Sequence, residues 1–346
     1  MRIKRRLTFL SVCMGLAIFL FCALNIDAKI VFQARIKHTG DTLSHIYVME
    51  DDGSNLRRIT SPNRYDRVPR WFPNGKQIVF ERDWGYGKQN TGDTMQREFF
   101  IIDETGMNEH SFMDNHRKDT SPFPSPDGRY ILFDSSRDNK YLDIYSYDLV
   151  RKKLNQLTHN NTIEDGYTQD ASWSPDGNKV VYHNAAGGDT IWRMDSDGGR
   201  KERITPFHQG NTFLNRGYPR WSPSGKYIMY YETEFANDPF KDIASRLIIQ
   251  NVFTGKRTIH KFPVKVNLAG LAWMGNDGTV LFAYKEQYDV PSDPRNIYRY
   301  DLNSRKMTQL TDFPLGHAIF PHWVEGPLSV SPQDKLTTSW GHLKQR

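Results

Sequence analysis

Trp173-Ser174-Pro175-Asp176-Gly177-Asn178-Lys179-Val180-Val181-Tyr182 is the stretch that decides the fold. Pro175 sets its own φ, and Gly177 supplies the positive φ that closes a tight turn. The strand ending at Trp173 is thereby folded back onto a second strand rich in β-branched residues. The stretch recurs as Trp71-Phe72-Pro73-Asn74-Gly75, Pro124-Ser125-Pro126-Asp127-Gly128 and Trp221-Ser222-Pro223-Ser224-Gly225, and, with its Gly one place late, as Trp273-Met274-Gly275-Asn276-Asp277-Gly278. Pro321-His322-Trp323 begins a sixth copy. Counted from the Trp position, the spacings are 53, 49, 48, 52 and 50 residues. Self-similarity near that period marks propellers and solenoids.

The remainder of each unit repeats as well. A third strand is expected at Ile46-Tyr47-Val48-Met49, Phe99-Phe100-Ile101-Ile102, Ile144-Tyr145-Ser146-Tyr147, Ile191-Trp192-Arg193-Met194, Leu247-Ile248-Ile249 and Ile297-Tyr298-Arg299-Tyr300. A second turn follows, such as Asp51-Asp52-Gly53 or Asp197-Gly198-Gly199, and then a short fourth strand. That strand is expected to end in Ile59-Thr60, Leu157-Thr158, Ile204-Thr205 or Leu310-Thr311. Four antiparallel strands in such a unit make one propeller blade. Residues 29–60 supply strands two to four of a blade, and residues 320–323 supply a first strand without them. Joined, they complete a sixth blade and leave no open sheet edge. The expected fold is all-β: a six-bladed β-propeller over residues 29–324, followed by an extension at 325–346.

These motifs resemble the TolB-type propeller repeat, whose pattern is Pro-x-Trp-Ser-Pro-Asp-Gly-Lys-x-Ile-x-Phe, then Ile-Tyr-x-Met-Asp-x-Asp-Gly-Gly, then Leu-Thr. The match is tightest over Trp173 to Gly177 and Ile191 to Gly199. The resemblance implies a periplasmic binding or scaffold domain that contacts envelope proteins and has no active site of its own. It also carries a departure, because the family's namesake has an α/β domain before its propeller and no such domain is read here. Similar repeats form the gating propellers of prolyl-oligopeptidase-like peptidases, which need a whole α/β-hydrolase domain that this length is not expected to hold.

The first 28 residues read differently. Arg2, Lys4, Arg5 and Arg6 precede an apolar-to-small stretch over residues 7–24, and then Asn25-Ile26-Asp27-Ala28. This is the pattern of a secretory signal cleaved after Ala28; the alternative is an uncleaved anchor formed by residues 7–24 and facing the periplasm. Both cysteines, Cys13 and Cys22, lie in this segment, so the expected mature chain has no thiol. Its loss leaves 42 basic against 39 acidic residues, a formal +3 instead of +6. With no extended basic run, nucleic acid is not an expected partner.

The usual catalytic signatures are missing from the sequence. There is no Gly-x-Ser-x-Gly elbow, no His-Glu-x-x-His, no phosphate loop and no dinucleotide fingerprint. Asp195-Ser196-Asp197-Gly198 superficially suggests a calcium loop, but Pro206 stands where the twelfth-position Glu belongs, and a hairpin turn is expected instead. Eleven scattered histidines have no metal-ligand spacing, so neither metal nor cofactor is expected. The residues just before each Trp strand should crowd one mouth of the central channel. Among them Asp66, Arg67, Asp119, Asp170, Arg216 and His317 are the candidate binding residues, suited to a polar ligand, a peptide end or a cation. The insertions at residues 83–97, with Trp84 and Tyr86, and at 235–242 are a second candidate surface. The expected function is docking of protein or small polar ligands; the alternative is a carbohydrate-active lyase or hydrolase using carboxylates and His at the mouth.

Overall fold

The computed structural model describes residues 29–36, 43–84, 97–113, 118–138, 140–160, 166–186, 188–236, 242–263, 267–286 and 294–325. The expected signal segment, most of the 83–97 insertion including Tyr86, part of the 235–242 insertion and almost all of the C-terminal extension lie outside them. The chain opens with β1 (Lys29–Arg35), β2 (His45–Glu50) and β3 (Arg57–Arg58). Four-stranded units follow: β4 (Tyr65–Trp71) to β7 (His110–Ser111), β8 (Asp119–Pro124) to β11 (Lys153–Gln156), and β12 (Thr168–Trp173) to β15 (Glu202–Arg203). Next come β16 (Thr212–Trp221) to β19 (Arg257–Phe262), β20 (Asn267–Trp273) to β23 (Met307–Gln309), and last β24 (His317–Val324).

Each unit is one antiparallel sheet in sequence order, and the remaining sheet has the order β24-β1-β2-β3. Lys29 faces Val324 and Ala34 faces Ala318 across the closing pair. The architecture is the expected one, six blades of four antiparallel strands, and the described residues include no helix. None is therefore long and apolar enough to cross a membrane. We number the blades from β4, so that the sheet stitched from both ends is blade six.

The repeated residues each have a mechanical task. Gly75, Gly128, Gly177 and Gly225 sit at φ between 65° and 72°, and each donates its N–H to the carbonyl three residues back. The Ile/Leu-Thr pair lies just beyond the fourth strand rather than in it. There the Thr hydroxyl accepts the N–H of the third strand's first Ile: Thr60 from Ile46 at 3.1 Å, and Thr158, Thr205 and Thr311 from Ile144, Ile191 and Ile297 at 2.9 Å. The Thr is thus a clamp on a buried backbone donor, which would otherwise cost desolvation energy. Asp197 accepts Gly199 N–H at 2.9 Å, as a turn residue does.

The core lies between blades. Every blade-to-blade seam has its own apolar cluster, for example Val31, Ile46, Trp71, Ile78 and Phe80 between blades six and one. Leu132, Trp173, Val180 and Tyr182 fill the seam between blades two and three. The ring therefore stands on six seams of similar construction, and β24 supplies the inner strand of the last.

Candidate functional site

All six inner strands carry the same irregularity three residues before the Trp position. Val68, Ser121, Asp170, Tyr218, Gly270 and Phe320 adopt φ between 46° and 65°, and the pairing register slips there. A bulge of this kind re-aims the strand, and a left-handed non-glycine residue costs on the order of 1–3 kcal/mol unless its surroundings hold it. The preceding blade does the holding at two of them. Gln33 Oε1 accepts Val68 N–H at 3.1 Å, and Asp134 Oδ2 accepts Asp170 N–H at 3.0 Å. At Gly270 a Cβ would stand 2.4 Å from the Phe320 Cα, so no side chain fits.

Beyond the bulge, four of the residues that precede the Trp position, Arg70, Phe123, Arg220 and His322, meet at the waist of the channel. Arg70 and Arg220 come from blades one and four, half a ring apart, and both are almost fully buried. Arg70 donates to the carbonyls of Pro69 at 2.9 Å and Phe320 at 3.4 Å; Arg220 donates to those of Pro219 at 2.8 Å and Asp170 at 3.0 Å. Each guanidinium thus ties its own strand to the bulge of the preceding blade. Both lie over Phe123, at 5.7 and 5.2 Å from its ring centre. His322 meets the same ring edge-on at 5.6 Å, and its Nδ1 accepts Trp71 N–H at 3.1 Å.

The charges at the waist act on one another. Burial, then the Arg220 charge, pulls Arg70 down to about 9, which leaves it protonated at neutral pH. Burial, then the two arginines, holds His322 well below its ordinary value, so it stays neutral and serves as an acceptor. Burial, then the Asp170 charge, raises Asp134 well above the usual carboxylate range, and burial raises Asp170 too.

The six candidate residues occupy four levels of the inner strand rather than one ring. Asp66, Asp119 and Arg216 share the level five residues before the Trp position, and each is buried in an ion pair. Asp66 accepts Arg82 Nε at 2.7 Å, Asp119 pairs with Arg137 at 2.6 Å, and Arg216 donates to Glu232 at 2.9 Å. Burial nevertheless raises Asp66. Arg67 lies 3.4 Å from Glu81, and Asp170 is itself a bulge residue. His317 opens β24 and lines a pocket of about 270 Å³ at the mouth, with Arg35, Ser44, Tyr65 and Arg295. Among the described residues, no three His, Cys, Asp or Glu side chains cluster in a way that would hold a metal. From the insertions, Trp84 donates to Glu98 at 2.7 Å and lies under Arg64.

Sequence reasoning missed Arg70, Phe123, Arg220 and His322. Their signal was present: a Trp packed between blades forces its predecessor toward the axis, and Pro69-Arg70-Trp71 recurs as Pro219-Arg220-Trp221.

Comparison with known proteins places this geometry. Residues 125–235 match the model of a family described as the dipeptidyl peptidase IV N-terminal region. An uncharacterized protein of Agrobacterium fabrum is 31% identical over 134 residues, which is 38% of this chain and 42% of that protein. Dipeptidyl-peptidase 5 of Porphyromonas gingivalis is 22% identical over 333 aligned residues, covering 82% of this chain and 46% of that one. The chain spans less than half the length of both curated relatives. Among solved structures, TolB from Acinetobacter baumannii superposes with a TM-score of 0.66 at 19% identity, over 86% of this chain and 67% of that one. That likeness shows the fold: the chain carries a TolB-like six-bladed β-propeller.

Proposed function

We propose that the propeller is an exported binding module that docks protein or small polar ligands on its disc, at the face where the inner strands begin. The supporting observation is the fixed state of the mouth. Asp66, Asp119 and Arg216 are tied into their own blades by short ion pairs, so the face is rigid before any partner arrives. A preorganised surface loses little entropy on binding. In this reading residues 1–28 are a signal removed after Ala28, the partners are envelope or secreted proteins, and sequencing of the secreted chain starts at Lys29. The test is capture: the tagged full chain, incubated with envelope extract of its own organism, retains a defined protein that competes with untagged chain. Absence of any competable partner contradicts the reading.

A second reading is favoured by the family match at residues 125–235 and by the relative named as a dipeptidyl-peptidase. Here the propeller takes part in catalysis, with Asp119, Asp170 and His317 as the candidate groups. Screening the purified chain against peptides and glycans separates the two. Turnover that is lost in Asp119→Asn, Asp170→Asn or His317→Gln establishes the enzyme, whereas partner capture without turnover establishes the module.

A further inference from the structure

The mouth pocket between β24, β1 and the start of blade one has a chemical bias that the rest of the face lacks. Among the described residues its lining contains no Asp or Glu. What it does contain is donors. Arg35 is half-buried and makes no ion pair with any described residue. Arg295 brings a second guanidinium to the lining, oriented by one Nη that donates to Asn267 Oδ1 at 2.9 Å. Gln33 has its carbonyl oxygen engaged by Val68 N–H, so its NH2 is what it offers. Ser44 is 3% exposed, and its hydroxyl has no hydrogen-bond partner among the described residues. Such a buried hydroxyl costs desolvation energy until an acceptor reaches it.

The frame around these donors is fixed. Arg295 is knitted to the start of β24 by Arg295 N–H to Gly316 O at 3.2 Å and Ala318 N–H to Arg295 O at 2.8 Å. Ser44 is held by Asp66 N–H, which its carbonyl accepts at 2.9 Å. Ile319 supplies an apolar wall, and His317 and Tyr65 complete the rim. A volume near 270 Å³ admits an acidic group with a few carbons, and is below the range usual for whole cofactors. Planar guanidinium forks match the two oxygens of a carboxylate.

We propose that this pocket binds a carboxylate, supplied by an acidic side chain or the free C-terminus of a docked peptide. The inference deepens the binding-module reading and rests on it for the source of the carboxylate. Ligand-detected NMR on the full chain tests it with succinate, its neutral diamide and inorganic phosphate as probes. Succinate should bind, the diamide should not, and phosphate should bind more weakly than succinate. Arg35→Gln should weaken succinate about tenfold, the loss of one charge-assisted contact; Arg200→Gln, at an exposed site on the outer part of blade three, should leave it unchanged. N-acetyl-Ala-Ala with a free C-terminus against N-acetyl-Ala-Asp-amide then identifies which carboxylate is preferred. Equal binding of the diamide, binding of phosphate alone, or succinate affinity unchanged in folded Arg35→Gln and Arg295→Gln variants overturns the proposal. A captured partner whose binding ignores Arg35→Gln sinks the carboxylate site while leaving the binding module standing.

Discussion

Blades one and five build their inner strands on the same backbone from opposite chemistry. Tyr65–Trp71 reads Tyr-Asp-Arg-Val-Pro-Arg-Trp, and Asn267–Trp273 reads Asn-Leu-Ala-Gly-Leu-Ala-Trp. Both slip register at the same place, and both turn left-handed there, at Val68 and Gly270. Blade one is held by Asp66, Arg82 and Glu109 in one network and by Arg67 with Glu81. Blade five has Leu268, Leu271 and Ala272 in apolar clusters instead. The ring therefore demands a turn, a bulge and a large inter-blade side chain from each repeat. The residues between are open to other uses, and the mouth and waist are composed of those residues.

The largest effect should come from breaking the ionic blade. Arg82→Ala leaves Asp66 buried without its counter-ion, and a loss of about 3–5 kcal/mol in urea denaturation is expected. Giving blade one the chemistry of blade five, with Asp66→Leu and Arg82→Met together, should cost at most about 2 kcal/mol, because apolar pairs often replace buried ion pairs without loss. If the double variant loses as much as Arg82→Ala, the two chemistries are not interchangeable and the comparison fails.

Gly270→Ala probes the other side. Its Cβ would meet backbone of Phe320, and its φ of 65° disfavours a side chain, so about 2–3 kcal/mol should be lost. Ser121→Ala, at the same level of blade two, should cost no more than about 1 kcal/mol, since a side chain already fits there.

A pH series sharpens the account of the waist. Asp134 is raised in the folded state, so folding takes up a proton between its ordinary value and the raised one. Stability from this group is thus fully present at the acid end of that window and falls as pH rises through it. Asp66 and Asp170 contribute with the same sign. Asp134→Asn should flatten the decline; a decline of unchanged slope removes Asp134 from the account. The smallest effect is expected on the rim of blade three, where Glu202→Ala breaks the solvent-exposed pair with Arg193 and should shift stability by less than about 0.5 kcal/mol.

The fold was legible because its determinants recur: Pro-Asp-Gly turns, Trp at one level and Thr after the fourth strand are local signals repeated around the ring. The mouth was legible only in part. Chain order puts Asp66, Asp119 and Arg216 at one level of the inner strands, but it does not show that each side chain turns into an ion pair within its own blade. Nothing in Val68 announces a left-handed backbone, since valine is an ordinary strand residue and is held there by Gln33 of the neighbouring blade. The pocket at Arg35, Ser44 and Arg295 was hidden for a different reason. It forms where the two ends of the chain meet, and its residues are separated by most of the sequence.

Every part of this account stands on that meeting of the ends. Lys29 and Val324 lie opposite each other on β1 and β24, at a separation that opposed strand residues make close to disulfide reach. With Cys13→Ser and Cys22→Ser as background, Lys29→Cys combined with Val324→Cys should oxidise to an intramolecular link, seen as a mobility shift and as one joined peptide by mass spectrometry. A folded chain that forms no link between positions 29 and 324 contradicts the closed ring.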